Sequence, residues 1–167
     1  DEVLEIFRQM CHALAAAHAV GLVHRDLKPE NIFLAVPRRE GIPFTVKILD
    51  FGIAKLVAES TVSSNHTQAV GSPRWMAPEQ AERGGEIRPS TDVWALGLIA
   101  FQLFTGIVYW KTANTEKPSV MQQMCEVLMD PIEPPSLRAQ YYDRPGTIPP
   151  GFDDWFARCV NRDQDMR

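Results

Sequence analysis

The chain is poor in cysteine, and this scarcity excludes several classes of protein. Its 167 residues include only three cysteines, Cys11, Cys125 and Cys159, which are widely spaced and odd in number. Small secreted domains that depend on disulfides have denser and even-numbered cysteines. No Cys-x-x-Cys pair occurs, so a structural zinc site is not expected. Reduced thiols are expected instead, and they favour a cytoplasmic location.

Positive charge is also scarce. Lysine and arginine number 17 against 21 aspartates and glutamates, which gives a net charge of −4. A nucleic-acid-binding surface needs clustered basic residues, so no nucleic-acid partner is expected. Hydrophobic residues make up 45% and charged residues 23% of the chain, as in ordinary globular domains. The length is sufficient for one domain with a hydrophobic core.

One long uncharged run resembles a membrane span in length. The 18 residues 93–110 contain no charged side chain, which reaches the length of a spanning helix. Glycines and polar residues such as Gln102 dilute the run, so it is interpreted as a buried core helix and no membrane span is expected within this chain. Asp92 is predicted to cap this helix at its N-terminus, and Gly106 to end it.

Two short polar segments contain the candidate catalytic and metal-binding residues. Residues 24–31 read His-Arg-Asp-Leu-Lys-Pro-Glu-Asn, and Asp50-Phe51-Gly52 follows further along the chain. Mg²⁺ prefers oxygen ligands and usually takes only one or two protein carboxylates, the rest coming from water and phosphates. Asn31 and Asp50 can supply such a set. Asp26 lies close enough to face the same site and accept a proton from an incoming hydroxyl.

The surrounding sequence predicts a support for these segments. Apolar residues at helical spacing predict a helix over residues 2–19. Residues 31–34 and 44–49 are rich in β-branched and aromatic side chains, which predicts a hairpin with Asn31 at the start of one strand and Asp50 just after the other. Further helices are predicted at 118–129 and 152–160, whereas the prolines of 131–150 indicate irregular connections.

Three motifs in sequence order resemble those of one enzyme family. His24-Arg25-Asp26-Leu27 with Asn31, then Asp50-Phe51-Gly52, then Ala77-Pro78-Glu79 resemble the catalytic loop, the metal loop and the following segment of protein kinases. Lys28, two residues after the aspartate, is similar to the Ser/Thr-specific branch. The runs 50–55 and 78–80 resemble bacterial members of the eukaryotic-type Ser/Thr kinase family.

The resemblance implies a fold. It predicts the large, C-terminal lobe of the protein kinase-like fold, mainly α-helical with a small β-hairpin. Residues 1–167 are interpreted as a partial kinase domain, because no Gly-x-Gly-x-x-Gly, strand lysine or partner glutamate of a small lobe occurs among them.

The resemblance also implies an activity, the transfer of the ATP γ-phosphate to Ser/Thr hydroxyls of protein substrates. Asp26 would be the catalytic base, and Lys28 would neutralise charge on the phosphoryl group of ATP. Asn31 and Asp50 would bind Mg²⁺ on ATP. A non-catalytic kinase-like scaffold or binding module is the alternative. A kinase-like enzyme for small molecules is less favoured, because such relatives usually lack the segment seen at 77–79.

The resemblance implies regulatory positions as well. Residues 53–76 have the character of a loop, read either as a flexible surface loop or as an activation loop. A buried arginine beside a catalytic aspartate needs an anionic partner, so Arg25, if buried, favours an activation loop phosphorylated at Thr67 or Thr61. The full-length parent could be anchored to a membrane through a region outside this chain.

The last motifs concern substrate docking and structure. The segment around Ser72 and Trp75 resembles the substrate-docking loop, with serine where threonine is more common. Glu79 is expected to pair with Arg167. Gln164 departs from the family pattern, in which proline is usual at that position.

Overall fold

The computed structural model describes residues 2–36, 44–52, 73–82 and 84–167. The chain divides into two units, residues 1–70 and 71–167. The first unit contains one long helix and a two-stranded sheet, and the described part of the second is helical.

The first unit begins with helix α1, Glu2–Ala19. This is the predicted helix of residues 2–19. Its buried side chains Ile6, Met10 and Leu14 are spaced by four residues and therefore form one apolar stripe. Gly21 follows with a positive φ of 77°, and its backbone N–H donates to the carbonyl of His18 at 2.9 Å. A glycine in this conformation ends the helix as predicted.

An antiparallel hairpin follows, formed by β1, Ile32–Ala35, and β2, Thr45–Ile48. Ile32 lies opposite Ile48 in the register. The predicted hairpin is present, but β1 starts one residue later than expected. Asn31 instead closes a 3-10 turn, Pro29–Asn31. Residues 37–43, which connect the strands, lie outside the described residues.

One side chain joins α1 to the sheet. The Gln9 Oε1 atom accepts a hydrogen bond from the Val46 N–H at 2.8 Å, and its Nε2 atom donates to the Phe44 carbonyl at 3.4 Å. Gln9 therefore satisfies backbone groups at the start of β2 that the short sheet leaves unpaired. The helix thereby supports the strand that leads into Asp50.

The second unit is built from helices of unequal length. They are α2, Pro78–Ala81; α3, Pro89–Thr105; α4, Val120–Leu128; α5, Pro135–Tyr141; and α6, Phe152–Cys159. Two 3-10 turns accompany them, Thr112–Asn114 and Gln164–Met166. The predictions at 118–129 and 152–160 correspond to α4 and α6. The short helix α5 was not predicted, although a proline at its first position is compatible with helix initiation.

Helix α3 is the centre of this unit. Every residue from Trp94 to Phe101 is buried, as predicted for a core helix that is apolar on all sides. Gly106 ends α3 with a φ of 74°. Among the residues that the structure describes, no helix is both long enough and apolar enough to cross a membrane.

The start of α3 differs from the prediction. Asp92 was expected to cap the helix, but the helix begins at Pro89 with Arg88 as the N-cap residue. The Thr91 hydroxyl oxygen accepts a hydrogen bond from the Arg88 N–H at 3.2 Å. Asp92 lies inside the first turn and is 1% exposed. The prediction was wrong because proline at the first helical position extends the helix upstream of the uncharged run.

Close packing of α3 against α6 depends on Gly97. A Cβ atom at Gly97 would lie 2.7 Å from Cγ2 of Val160 and 2.9 Å from Cβ of Cys159. Both distances are well below van der Waals contact, so only glycine allows this approach.

A buried ion pair links α4 to α5. The Glu126 carboxylate accepts hydrogen bonds from the Lys111 N–H at 2.7 Å and the Thr112 N–H at 2.9 Å, and the Arg138 guanidinium lies 3.2 Å away. Burial raises the pKa of Glu126, but the hydrogen bonds from Thr112, Lys111 and Arg138 favour the carboxylate more strongly, so the pKa is lowered overall.

The lowered pKa of Glu126 predicts a pH dependence of stability. Its contribution is complete above the ordinary glutamate value of 4.5, and it is lost as the pH falls through the lower folded-state pKa. At about pH 7, Glu126→Gln should lower the free energy of unfolding by about 1–3 kcal/mol, because Arg138 loses one of its two carboxylate partners and keeps only the more exposed Glu133.

Urea denaturation of the full-length protein at several pH values tests this prediction. The difference between wild type and Glu126→Gln should shrink as the solution is acidified below about pH 5. The exposed Glu116→Gln is the matched control and should change little. A difference that does not vary with pH would show that the charge of Glu126 is not what stabilises this unit.

Candidate active site

The side chain of His24 joins the two polar segments of the first unit. Its Nδ1 atom accepts a hydrogen bond from the Asp26 N–H at 3.3 Å, and its Nε2 atom lies 2.9 Å from the Leu49 carbonyl oxygen. Since Nδ1 accepts, the proton belongs on Nε2, which donates to Leu49. The imidazole is fully buried, and its own carbonyl accepts from the Gly52 N–H at 2.8 Å. The residues around Asp26 and those around Asp50 are therefore packed together.

Asn31 connects the same segments from the sheet side. Its Nδ2 atom donates to the Asp26 carbonyl at 2.8 Å, and its own carbonyl accepts from the Leu49 N–H at 2.8 Å. The residue is only 5% exposed. Because Nδ2 is engaged, the orientation of the amide is set and Oδ1 is left as an acceptor. An amide oxygen of this kind is a suitable ligand for a hard cation.

Two residues of this region have strained backbones. Arg25 has a φ of 66° and Asp50 a φ of 54°. Non-glycine residues rarely adopt positive φ, which costs on the order of 1–3 kcal/mol and persists only where the surroundings enforce it. The hydrogen bonds around His24 and Asn31 supply that enforcement. Backbone strain of this kind, here at one residue in each of the two polar segments, is typical of functional loops.

Lys28 and Asp26 form the charged part of the site. The Lys28 Nζ atom lies 2.9 Å from Oδ2 of Asp26. The pKa of Lys28 is raised mainly by this hydrogen bond, which outweighs the lowering effect of burial, and the negative charges of Asp26, Glu30 and Asp50 raise it further. Lys28 is therefore a cation at neutral pH. The negative charges of Asp26 and Asp50, the two aspartates of the motifs, both act on it.

The second unit contains a buried carboxylate at Glu79. Arg167 donates through Nη2 to Oε2 at 2.6 Å and through Nη1 to Oε1 at 3.0 Å, and the Thr91 hydroxyl donates to Oε1 at 2.8 Å. Glu79 is 8% exposed and the Arg167 side chain 0% exposed. The carboxylate is therefore not a solvated surface group, and its negative charge is compensated within the unit.

The segment before Glu79 is buried as well. Trp75, expected in substrate docking, is 7% exposed, so it supports the segment rather than presenting a side chain to a partner. The neighbouring Arg74 carbonyl accepts from Nε1 of Trp110 at 2.9 Å.

The predicted regulatory residues are only partly described. Thr61 and Thr67 lie outside the described residues, as does Ser72 of the predicted substrate-docking segment. Arg25 is half-buried, so it is less enclosed than the sequence argument assumed. Phosphorylation of the loop stays a prediction.

The sequence did not reveal the roles of two residues that hold these segments together, His24 and Thr91. His24 was treated only as part of a motif, although its ring makes the central hydrogen bonds. Thr91 carried no recognisable signal, because it lies 12 residues from Glu79 and the contact between them is tertiary.

Removal of the Glu79 carboxylate should leave Arg167 as a buried uncompensated charge. Glu79→Leu is expected to lower the free energy of unfolding by about 3–5 kcal/mol. The double variant Glu79→Leu/Arg167→Met should regain most of that loss, because no isolated charge remains. Thermal and urea denaturation check both values, and a double variant as unstable as the single one would contradict the ion-pair explanation.

Comparison with known proteins agrees with this geometry. The protein kinase domain family matches residues 1–167. Serine/threonine-protein kinase Pkn1 from Myxococcus xanthus is 52% identical over 104 residues, which are 62% of this chain and 15% of that protein. Serine/threonine-protein kinase pkn3 from the same organism is 44% identical over 109 residues, 64% of this chain and 19% of that protein.

A mycobacterial relative covers more of the chain. Serine/threonine-protein kinase PknB from Mycobacterium tuberculosis is 36% identical over 136 residues, which are 81% of this chain and 20% of that protein. The chain thus spans a fifth or less of each of these relatives. With a family match over its whole length and these bacterial relatives, the chain belongs to the protein kinase domain family and is similar to bacterial kinases of the eukaryotic Ser/Thr type.

Proposed function

We propose that the protein containing this chain is a serine/threonine kinase that transfers the γ-phosphate of ATP to hydroxyl groups of protein substrates. The observation that carries the proposal is the packing of Asp26, Lys28 and Asn31 against the residues that lead into Asp50. The names of the bacterial relatives support the same substrate class.

Asp26 acts on the substrate hydroxyl in this proposal. Its backbone N–H donates to His24 and its carbonyl accepts from Asn31, so the residue is positioned from both sides. Its carboxylate orients the hydroxyl and accepts its proton. A positioned base of this kind contributes on the order of a hundred- to ten-thousandfold in rate.

Lys28 stabilises the negative charge that moves during transfer. Its raised pKa keeps the ammonium protonated, and its position beside Asp26 puts the cation next to the acceptor hydroxyl. Preorganised charges of this kind often contribute more to catalysis than the proton transfer itself.

The donor set fits Mg²⁺ bound to ATP. The Asn31 amide is oriented by its bond to Asp26, and Asp50 adds a carboxylate whose charge acts on Lys28. One amide oxygen and one carboxylate match the sparse, all-oxygen protein contribution that Mg²⁺ accepts. When bound, Mg-ATP supplies the phosphoryl group and neutralises part of its charge, and Asn31 and Asp50 would hold the metal.

We further propose that residues 1–167 correspond to the large lobe of the kinase fold. The support is the mainly helical content with a single two-stranded antiparallel sheet among the described residues. Asn31 directly precedes β1 and Asp50 follows β2 closely, which agrees with this proposal.

Replacement of Asp26 by asparagine tests the proposal. The variant keeps the size and the backbone hydrogen bonds of the residue but removes the base, so phosphate transfer should fall by about a hundredfold or more. The measurement is transfer of radiolabelled phosphate from ATP to casein by the full-length protein. Asp154→Asn, an exposed aspartate in α6, is the matched control and should retain wild-type activity. Equal activity of Asp26→Asn and wild type would refute the assigned role.

A further inference from the structure

Gln164 makes contacts that the usual proline at this position could not make. Its Nε2 atom lies 3.1 Å from Oε1 of Glu79, 3.0 Å from the Glu86 carbonyl oxygen and 3.3 Å from the Thr91 hydroxyl oxygen. Proline has no side-chain donor, so the three contacts are specific to glutamine here.

The orientation of this amide follows from its neighbours. A carboxylate and a backbone carbonyl only accept hydrogen bonds, so the amide nitrogen of Gln164 must face them. Oε1 of Glu79 then accepts from Gln164, Thr91 and Arg167. Gln164 therefore adds a neutral donor to a carboxylate that is already paired with a guanidinium, and donors to charged acceptors form the stronger hydrogen bonds.

A second contact joins the same two segments. Nη1 of Arg88 lies 2.7 Å from Oδ1 of Asp165, and the Arg88 guanidinium also contacts Glu86. The 3-10 turn Gln164–Met166 is thus bonded to residues 86–91 by two neighbouring side chains. Gln164 is half-buried and Asp165 is exposed, and Gln164 is the one that reaches Glu79.

Glu79 itself lies in α2, Pro78–Ala81. The N–H of Ala77 donates to the Gln80 side chain at 3.0 Å, which closes the turn from which α2 begins. Gly85 approaches so closely that a Cβ atom there would lie 1.9 Å from the Glu79 carbonyl oxygen. The backbone at Glu79 is therefore closely packed, and we expect the hydrogen bonds of the Glu79 side chain to contribute to the position of residues 77–81.

We propose that Gln164 is a positioning residue for the segment 73–81, acting through Glu79. The inference rests on the proposed kinase function and on the resemblance of the segment around Ser72 and Trp75 to the substrate-docking loop of that family. Gln164 then affects protein-substrate binding without touching the substrate.

Two variants remove the amide with little other change. Gln164→Met keeps the length of the side chain. Gln164→Pro suits the backbone, because position 164 is the first of a 3-10 turn and Asp163 before it is extended, with φ −72° and ψ 113°. The exposed Gln140→Met in α5 is the matched control.

The first measurement is amide hydrogen exchange of residues 73–81 in the full-length protein. Loss of a hydrogen bond to a charged acceptor should speed exchange in this segment by about tenfold in both Gln164 variants, with no change in Gln140→Met. Exchange within twofold of wild type in both variants would overturn the inference.

The second measurement separates positioning from general stability. In steady-state phosphate transfer, the KM for a protein substrate should rise several-fold in both variants, while the KM for ATP stays unchanged. Faster exchange with an unchanged KM for the protein substrate would make Gln164 a structural residue only and overturn the positioning role. Wild-type protein without any phosphate transfer would refute the proposed function itself, and the exchange measurement would still decide whether Gln164 orders residues 73–81.

Discussion

Both ring nitrogens of the buried His24 are bonded to backbone groups of different loops, to Asp26 on one side and to Leu49 on the other. These two hydrogen bonds bring the segment that contains Asp26 and Lys28 close to the segment that leads into Asp50. They also help to hold Arg25 and Asp50 at their positive φ values. The chemical proposal depends on this histidine, although the residue itself faces no substrate.

Buried, hydrogen-bonded charged groups have a similar role in the second unit. Glu79 is buried with a full set of donors, and Glu126 is similarly surrounded near α5. Isolated charges at these positions would be strongly destabilising, whereas paired and hydrogen-bonded charges cost little. Each pair joins segments that are distant in sequence, so the pairs specify which helices and turns contact one another. Directional bonds of this kind complement the apolar packing around α3, which is largely non-directional.

The long elements could be predicted from sequence because their signals are local. Helix α1 shows its apolar stripe and the hairpin shows its β-branched strands, and local motifs likewise point to Asp26, Asn31 and Asp50 as candidate site residues. The start of α3 was missed because the capping argument began from the uncharged run rather than from Pro89. Helix α5 was missed because the prolines around it masked a short helix that depends on the buried Arg138.

The contacts of Gln164 and Thr91 could not be predicted for a different reason. They reach Glu79 across 85 and 12 residues, and nothing in the local sequence indicates a partner at such a distance. The sequence showed only that position 164 departs from the proline expected there. It did not show which residues the glutamine side chain contacts. Tertiary hydrogen bonds of polar side chains are therefore what sequence reasoning leaves open in this protein.

The central claim is that Asn31 and Asp50 act together on one divalent ion beside Asp26 and Lys28. The most direct measurement is a crystal structure of the full-length protein with Mg²⁺ and a non-hydrolysable ATP analogue. The account predicts one Mg²⁺ that is coordinated by both the Asn31 amide oxygen and the Asp50 carboxylate. Metal and nucleotide bound away from these two side chains, or no nucleotide bound in solution at millimolar concentration, would contradict it.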